Sequence, residues 1–156
     1  MRKLLLFFVC IFGCIVSATA ADQLEYEIEG NGNGAQGTYL VKVSLLSKKN
    51  NPNSSELARC AVHGVLFRGF SNPEQHQTQK PLAGSAAVEA QHADYFNRFF
   101  ADGGAFQNYV AEVSGSRHVV KVGKQYRVTA TVTVNKDQLR KDLEDAGVLK
   151  GLNSIF

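Results

Sequence analysis

Arg127-Val128-Thr129-Ala130-Thr131-Val132-Thr133-Val134-Asn135 decides the fold. Val128, Ala130, Val132 and Val134 fall on one side and Thr129, Thr131 and Thr133 on the other, the period-two pattern of a strand with one buried face. The stretch is almost wholly β-branched, which suits a pleated surface and disfavours a helix. Val120 and Val122 precede it across Gly123 and predict a hairpin. A two-residue loop sets Val120 opposite Arg127. A three-residue loop, Gly123-Lys124-Gln125, sets Val122 opposite Tyr126 and Val120 opposite Val128, and it is the one expected because a slip of one residue sends side chains to the wrong face. On the C-terminal side, Asn135 with Gln138 three positions later caps a helix whose apolar stripe is Leu139 and Leu143. Asp137 with Lys141, Arg140 with Glu144 and Lys141 with Asp145 are helix neighbours, each pair contributing about 0.2–0.5 kcal/mol on a solvated face.

Toward the N-terminus the same alternation recurs. Leu24, Tyr26 and Ile28 interleave with Glu25, Glu27 and Glu29, and Tyr39, Val41, Val43 and Leu45 share one face of a second strand, Thr38 to Leu46. The glycine-rich segment from Gly30 to Gly37 between them makes an antiparallel hairpin with a long turn. Asn53, with Glu56 three residues on, opens an amphipathic helix carrying Leu57, Ala58, Ala61, Val62, Val65 and Leu66 to about Gly69. Residues 71–85 hold two prolines and several glutamines without periodicity and are expected to be an exposed, mobile loop. Ala87 to Ala101 predicts a second helix with Tyr95, Phe96, Phe99 and Phe100 on one side, ended by Asp102-Gly103-Gly104, and Phe106 and Tyr109 predict a short helical turn. Runs of strands separated by runs of helices give an α+β single domain: a largely antiparallel sheet of about four strands, in two hairpins, packed against three helices. No internal repeat is present.

The chain begins with Met1-Arg2-Lys3, then an apolar run from Leu4 to Val16, then Ala18-Thr19-Ala20. Positive start, apolar centre and small residues predict a secretory signal peptide over residues 1–20, leaving a domain over 21–156. The run of about 13 residues is shorter than the roughly 20 of a membrane span, so no transmembrane anchor is expected in the mature chain. Ile11-Phe12-Gly13-Cys14 offers lipidation at Cys14 as a rival, which Phe12 fits badly. Cleavage after Ala20 removes Cys10 and Cys14 and leaves Cys60 alone, without an intramolecular disulfide. Of the 156 residues, 44% are hydrophobic and 20% charged, with ten Phe and five Tyr, which excludes a disordered chain. The formal charge of +3 falls to +1 once Arg2 and Lys3 leave, with no basic or acidic run, so no nucleic-acid partner is expected.

Val122-Gly-Lys-Gln-Tyr-Arg-Val-Thr-Ala-Thr-Val-Thr-Val-Asn135 with Gln138 to Gly147, together with Ala61 to Gly69 and Gln91 to Gly104, resembles small exported proteins of Bacteroides-type bacteria that have no assigned activity. The hairpin followed by a Leu-x-x-x-Leu helix is also similar, more generically, to envelope domains of the flagellar-assembly T amino-terminal type. These resemblances imply export, an α+β fold and an envelope role, and they lend no catalytic residue.

Several motifs carry chemistry on paper. Gly32-Asn33-Gly34-Ala35-Gln36-Gly37 reads G-x-G-x-x-G, but it leads into a strand, whereas a phosphate cradle must open a helix. Cys60 and His63 stand three apart on a helix, the minimum contact for a thiolate–imidazole pair. Among His63, His76, His92 and His118 no two have zinc-site spacing, and His92 with Asp94 makes a close histidine–carboxylate pair but no cluster, so no metal or other cofactor is expected. Asn53-Ser54-Ser55 matches a glycosylation acceptor, which means little in a bacterial exported protein. Tyr95, Phe96, Phe99, Phe100, Phe106 and Tyr109 put six rings in one short segment; core packing of the second helix on the sheet is the plain reading, and because six rings exceed what one helix stripe buries, some of them are expected to reach a binding surface.

The sequence therefore reads as an exported, non-enzymatic domain of the periplasm or cell surface that binds an envelope protein or an apolar ligand. The alternatives are a cysteine-dependent hydrolase using Cys60 and His63, and a small-ligand carrier with an apolar pocket between helices and sheet.

Overall fold

A computed structural model of the chain describes residues 25–151. The expected signal peptide, with Cys10 and Cys14, lies outside the described residues. Strands β1 (Tyr26–Gly30) and β2 (Thr38–Ser47) form the first hairpin. Helix α1 (Ser54–His63) continues through a π-helical turn, Gly64–Arg68. A small hairpin, β3 (Phe70–Asn72) and β4 (Gln77–Gln79), leads to helices α2 (Ala87–Gln91) and α3 (Ala93–Phe99) and a 3₁₀ turn, Ala105–Tyr109. Strands β5 (Val110–Glu112), β6 (His118–Val122) and β7 (Gln125–Asn135) and helix α4 (Lys136–Asp145) complete the domain, an α+β fold as the residue pattern requires.

The main sheet has five antiparallel strands in the order β1-β2-β7-β5, with β6 also on β7. Its spine is the pairing of β2 with β7, Thr38 opposite Asn135 through Ser47 opposite Tyr126. That register sets Val41, Val43 and Leu45 beside Val132, Ala130 and Val128, all buried. Leu57, Val65 and Leu66 of the first helical segment and Leu139 and Leu143 of α4 close over them. A fully buried Val or Leu contributes about 1.5–3 kcal/mol, so this layer is the main stabilising body of the fold. On the opposite face Lys42 and Arg127 are exposed and Ser44, Thr129, Thr131 and Thr133 half-exposed. Asn53 caps α1 by accepting from the Ser55 N–H, and Asn135 caps α4 by accepting from the Gln138 N–H.

Three expectations are corrected. Residues 71–85 are not a structureless mobile loop. They contain most of the β3–β4 hairpin, Asn72 is buried with its Oδ1 accepting from the Glu74 and Gln75 N–H groups, and the N–H groups of Leu82 and Ala83 donate to the Val65 and Leu66 carbonyls. Those carbonyls end a helical segment and need partners, which is what holds the segment down. Gly69, at φ 70°, makes the exit, where a Cβ would strike the Gln79 carbonyl oxygen.

The helix expected over Ala87–Ala101 breaks at His92 (φ −117°, ψ 36°). None of the residues of α2 is fully buried, whereas α3 drives Phe96 and Phe99 into the core, so the two halves answer to different surroundings.

The last hairpin has the two-residue loop. Val122 faces Gln125, Val120 faces Arg127, and Val119 rather than Val120 stands opposite Val128. Gly123 has φ 60° while Lys124 keeps a negative φ, the requirement of a type II′ turn with glycine first. Turn chemistry set this register, and it leaves Val120 on the uncovered face.

Candidate functional site

The aromatic segment is core. Phe96, Phe99, Phe106 and Tyr109 are buried, and Tyr95 and Phe100 are half-buried against them. Phe67 meets Phe96 edge-on with ring centroids 5.0 Å apart, and Phe99 meets Phe100 likewise at 4.9 Å. The Tyr109 hydroxyl donates to Asp142 Oδ2 at 2.7 Å, tying the 3₁₀ turn to α4. The rings are spent largely on one another and on the sheet, as the core-packing reading has it, and of the six residues offered for a binding surface Tyr95 and Phe100 keep partial exposure.

Cys60 and His63 share α1 without forming a reactive pair. Tyr26 Oη lies 2.7 Å from His63 Nδ1, and His63 Nε2 lies 3.2 Å from Glu89 Oε1. A carboxylate only accepts, so Nε2 carries the proton and Nδ1 accepts from the Tyr26 hydroxyl. Both ring nitrogens are occupied. Burial holds His63 below its ordinary value, with Glu89 opposing and Arg68 adding to the shift. Burial pushes the Cys60 thiol up to about 12, against the attraction of Arg59. A thiol raised this far holds little of the thiolate that nucleophilic chemistry uses.

The glycine-rich turn runs into β2, as its residues require, and offers no helix N-terminus. Among the described residues no three His, Cys, Asp or Glu side chains converge on a metal position.

What remains open to solvent is the far edge of the sheet. β5 and β6 lie end to end along β7, β5 on Val132–Val134 and β6 on Gln125–Thr129. Between them the chain leaves the ladder, returning one backbone bond from the Val113 N–H to the Thr131 carbonyl, while Ser116 Oγ accepts from the Thr131 N–H. Arg117 anchors the interruption: its guanidinium reaches both Glu112 oxygens, Asn51 Oδ1, the Pro52 carbonyl and Ser54 Oγ. Beyond that anchor every residue of β6 is exposed, with Val119 at 43%, Val120 at 60% and Val122 at 46%. Exposed Leu46 joins Val120 and Val122 across Arg127 on the uncovered face.

No family model matches this chain, and no curated protein or solved structure does.

Sequence reasoning placed Val120 and Val122 inside and so missed this edge. The available signal was the II′ chemistry of Gly123-Lys124 together with the absence of any acidic residue from Val113 to Lys136. Two open clefts accompany it. One, of 310 Å³, lies at the start of α1 over Leu57, Val110 and Val132 with Gln107 and Glu112 at its rim. The other, of 410 Å³, lies on β1 and β2 between Glu27, Arg68 and Arg127. The space between helices and sheet that an apolar carrier would use is filled by Phe106, Leu57, Leu66, Leu139 and Leu143, all fully buried. Among the described residues no helix is long and apolar enough to cross a membrane.

Proposed function

We propose that this chain is an exported binding module of the bacterial envelope whose contact surface is the β6–β7 hairpin. The observation that carries the reading is the exposure of Val119, Val120 and Val122 on one short strand whose outer edge pairs with nothing among the described residues. Folded domains generally guard such edges, since unpaired backbone groups beside apolar side chains recruit another chain. The signal-like N-terminus supports export, and the occupied state of His63 and the un-ionised Cys60 support binding over covalent chemistry.

A photo-crosslinking side chain at Val120, compared with one at Lys141 on the exposed side of α4, tests the surface in the native host. A discrete adduct at Val120 that is missing at Lys141 is expected. Equal or absent adducts overturn the assignment. Mass spectrometry of the same material tests export, with a mature N-terminus at Ala21 expected and an intact Met1 in the cytosol refuting it.

A further inference from the structure

We propose that β6 accepts a sixth strand, supplied by an extended segment of a partner protein in which acidic and apolar residues alternate. The inference rests on the hairpin being the contact surface and adds what the hairpin takes.

Backbone geometry comes first. In a two-residue hairpin the residues flanking the loop, Val122 and Gln125, exchange hydrogen bonds with each other, and so does every second pair after them. Val120 with Arg127 and His118 with Thr129 are therefore the bonded pairs. Val119 and Lys121 fall between, so their N–H and C=O groups point away from β7, toward an edge on which no strand pairs among the described residues. Four backbone groups at strand spacing are the hydrogen-bonding half of strand addition. The edge of β1 at the other end of the sheet is not equivalent: Arg68 Nη1 donates to the Tyr26 carbonyl at 3.0 Å, and Gly30 packs on Asn72.

Side chains then select the guest. Lys121 and Val119 project on the core side of the strand, and His118, Val120 and Val122 on the uncovered face, where Leu46 extends the apolar patch. Lys121 and Lys124, with Arg127 beside them, meet no acidic residue within the hairpin, and Lys48 and Lys49 follow the neighbouring end of β2. A guest with carboxylates facing Lys121 and β-branched or aromatic side chains facing Val120 and Val122 complements both faces. A second copy of the chain, pairing β6 with β6, would bring two lysine-bearing hairpins together and is disfavoured by like charge.

The test uses the purified exported protein and a synthetic heptapeptide alternating valine with glutamate. Peptide addition is expected to slow amide hydrogen exchange at Val119 and Lys121 while leaving Val120, already bonded to Arg127, unchanged. Replacing the peptide's glutamates by lysine is expected to weaken binding about tenfold. Val119→Pro removes one outward N–H without touching a β6–β7 bond, and it should abolish binding while the urea midpoint holds. Lys121→Glu, which cannot disturb the backbone, should reverse the preference between the two peptides. Protection absent at Val119 and Lys121, equal binding of both peptides, or concentration-dependent dimers protecting the same amides would overturn the proposal. If Val120 still crosslinks in cells under any of those results, the strand-addition claim alone fails; if the crosslink is also absent, the contact surface falls with it.

Discussion

Arg117 grips Glu112 with two parallel bonds, Nε to Oε1 at 2.9 Å and Nη2 to Oε2 at 2.6 Å, across the gap where the edge strand leaves the sheet. The remaining donors reach Asn51, Pro52 and Ser54, so all five N–H groups of the guanidinium are used. One side chain thus joins β5, the start of β6 and the approach to α1. It fixes where pairing stops and where the exposed strand begins.

Lysine cannot reproduce a planar five-donor fork. Arg117→Lys is expected to lower stability by about 1–3 kcal/mol, because Glu112 and the Pro52 carbonyl lose partners while three-quarters hidden or only partly solvated. The check is a urea midpoint with an unchanged slope. The Arg117 hydrogen bond, the largest cause, holds Glu112 below the usual carboxylate range. A depressed carboxylate stabilises the fold fully above its unfolded value of about 4.3 and loses that contribution as pH falls toward the folded one. Glu112→Gln should remove this part of the acid sensitivity, and a midpoint that kept the same pH profile would refute the coupling.

His63 works in a neighbouring window. It sits neutral between Tyr26 and Glu89, with Arg68 and Cys60 also facing the cluster, and burial depresses its affinity for a proton. The unfolded chain takes up that proton near pH 6.5 and the folded one resists, so stability is complete above about 6.5 and declines as pH falls from there toward the folded value. His63→Gln should flatten that decline. Tyr26→Phe should cost about 1–3 kcal/mol at pH 8, since Nδ1 keeps its burial and loses its donor. Denaturation at pH 8 and pH 5.5 on the three proteins measures both.

Parts of this arrangement were legible in the residues and parts were not, for physical reasons. The alternation in β7 and β2 and the caps Asn53 and Asn135 are local signals, and the elements stand where those signals place them. β3 and β4 are short and largely polar, held by a buried Asn72 and by carbonyls that only a π-helical exit exposes, so nothing periodic marks them. The partners of His63 come from β1 and α2, a meeting no spacing reveals. The three-residue loop that sets Val120 beside Val128 is the expectation that turns Val120 and Val122 inward. The rule that valines turn inward assumes something covers them, and among the described residues β6 is exposed throughout.

Cys60 gives a chemical readout of the closed core. With its thiol pushed up to about 12 and its side chain buried, labelling by a disulfide reagent at pH 8 should be slower in the native chain than in urea by about a hundredfold or more. Comparable rates would mean that α1 opens readily, and would return a Cys60-dependent reaction to consideration.

The sharpest contrast lies between two groups of apolar residues that composition treats alike. Phe106 is fully buried under the Arg59 guanidinium, which stands 5.7 Å from its ring centre. Truncation to Ala should cost about 3–5 kcal/mol, the transfer of a ring plus the cavity it leaves. Val120 contributes little to the same core, so Val120→Ser should move the urea midpoint by no more than about 0.5 kcal/mol while weakening whatever docks on the hairpin. If Val120→Ser unfolded the protein, β6 would be structural and its exposed valines would need another explanation. If Phe106→Ala were harmless and abolished binding instead, the aromatic segment would regain the contact role that its burial argues against.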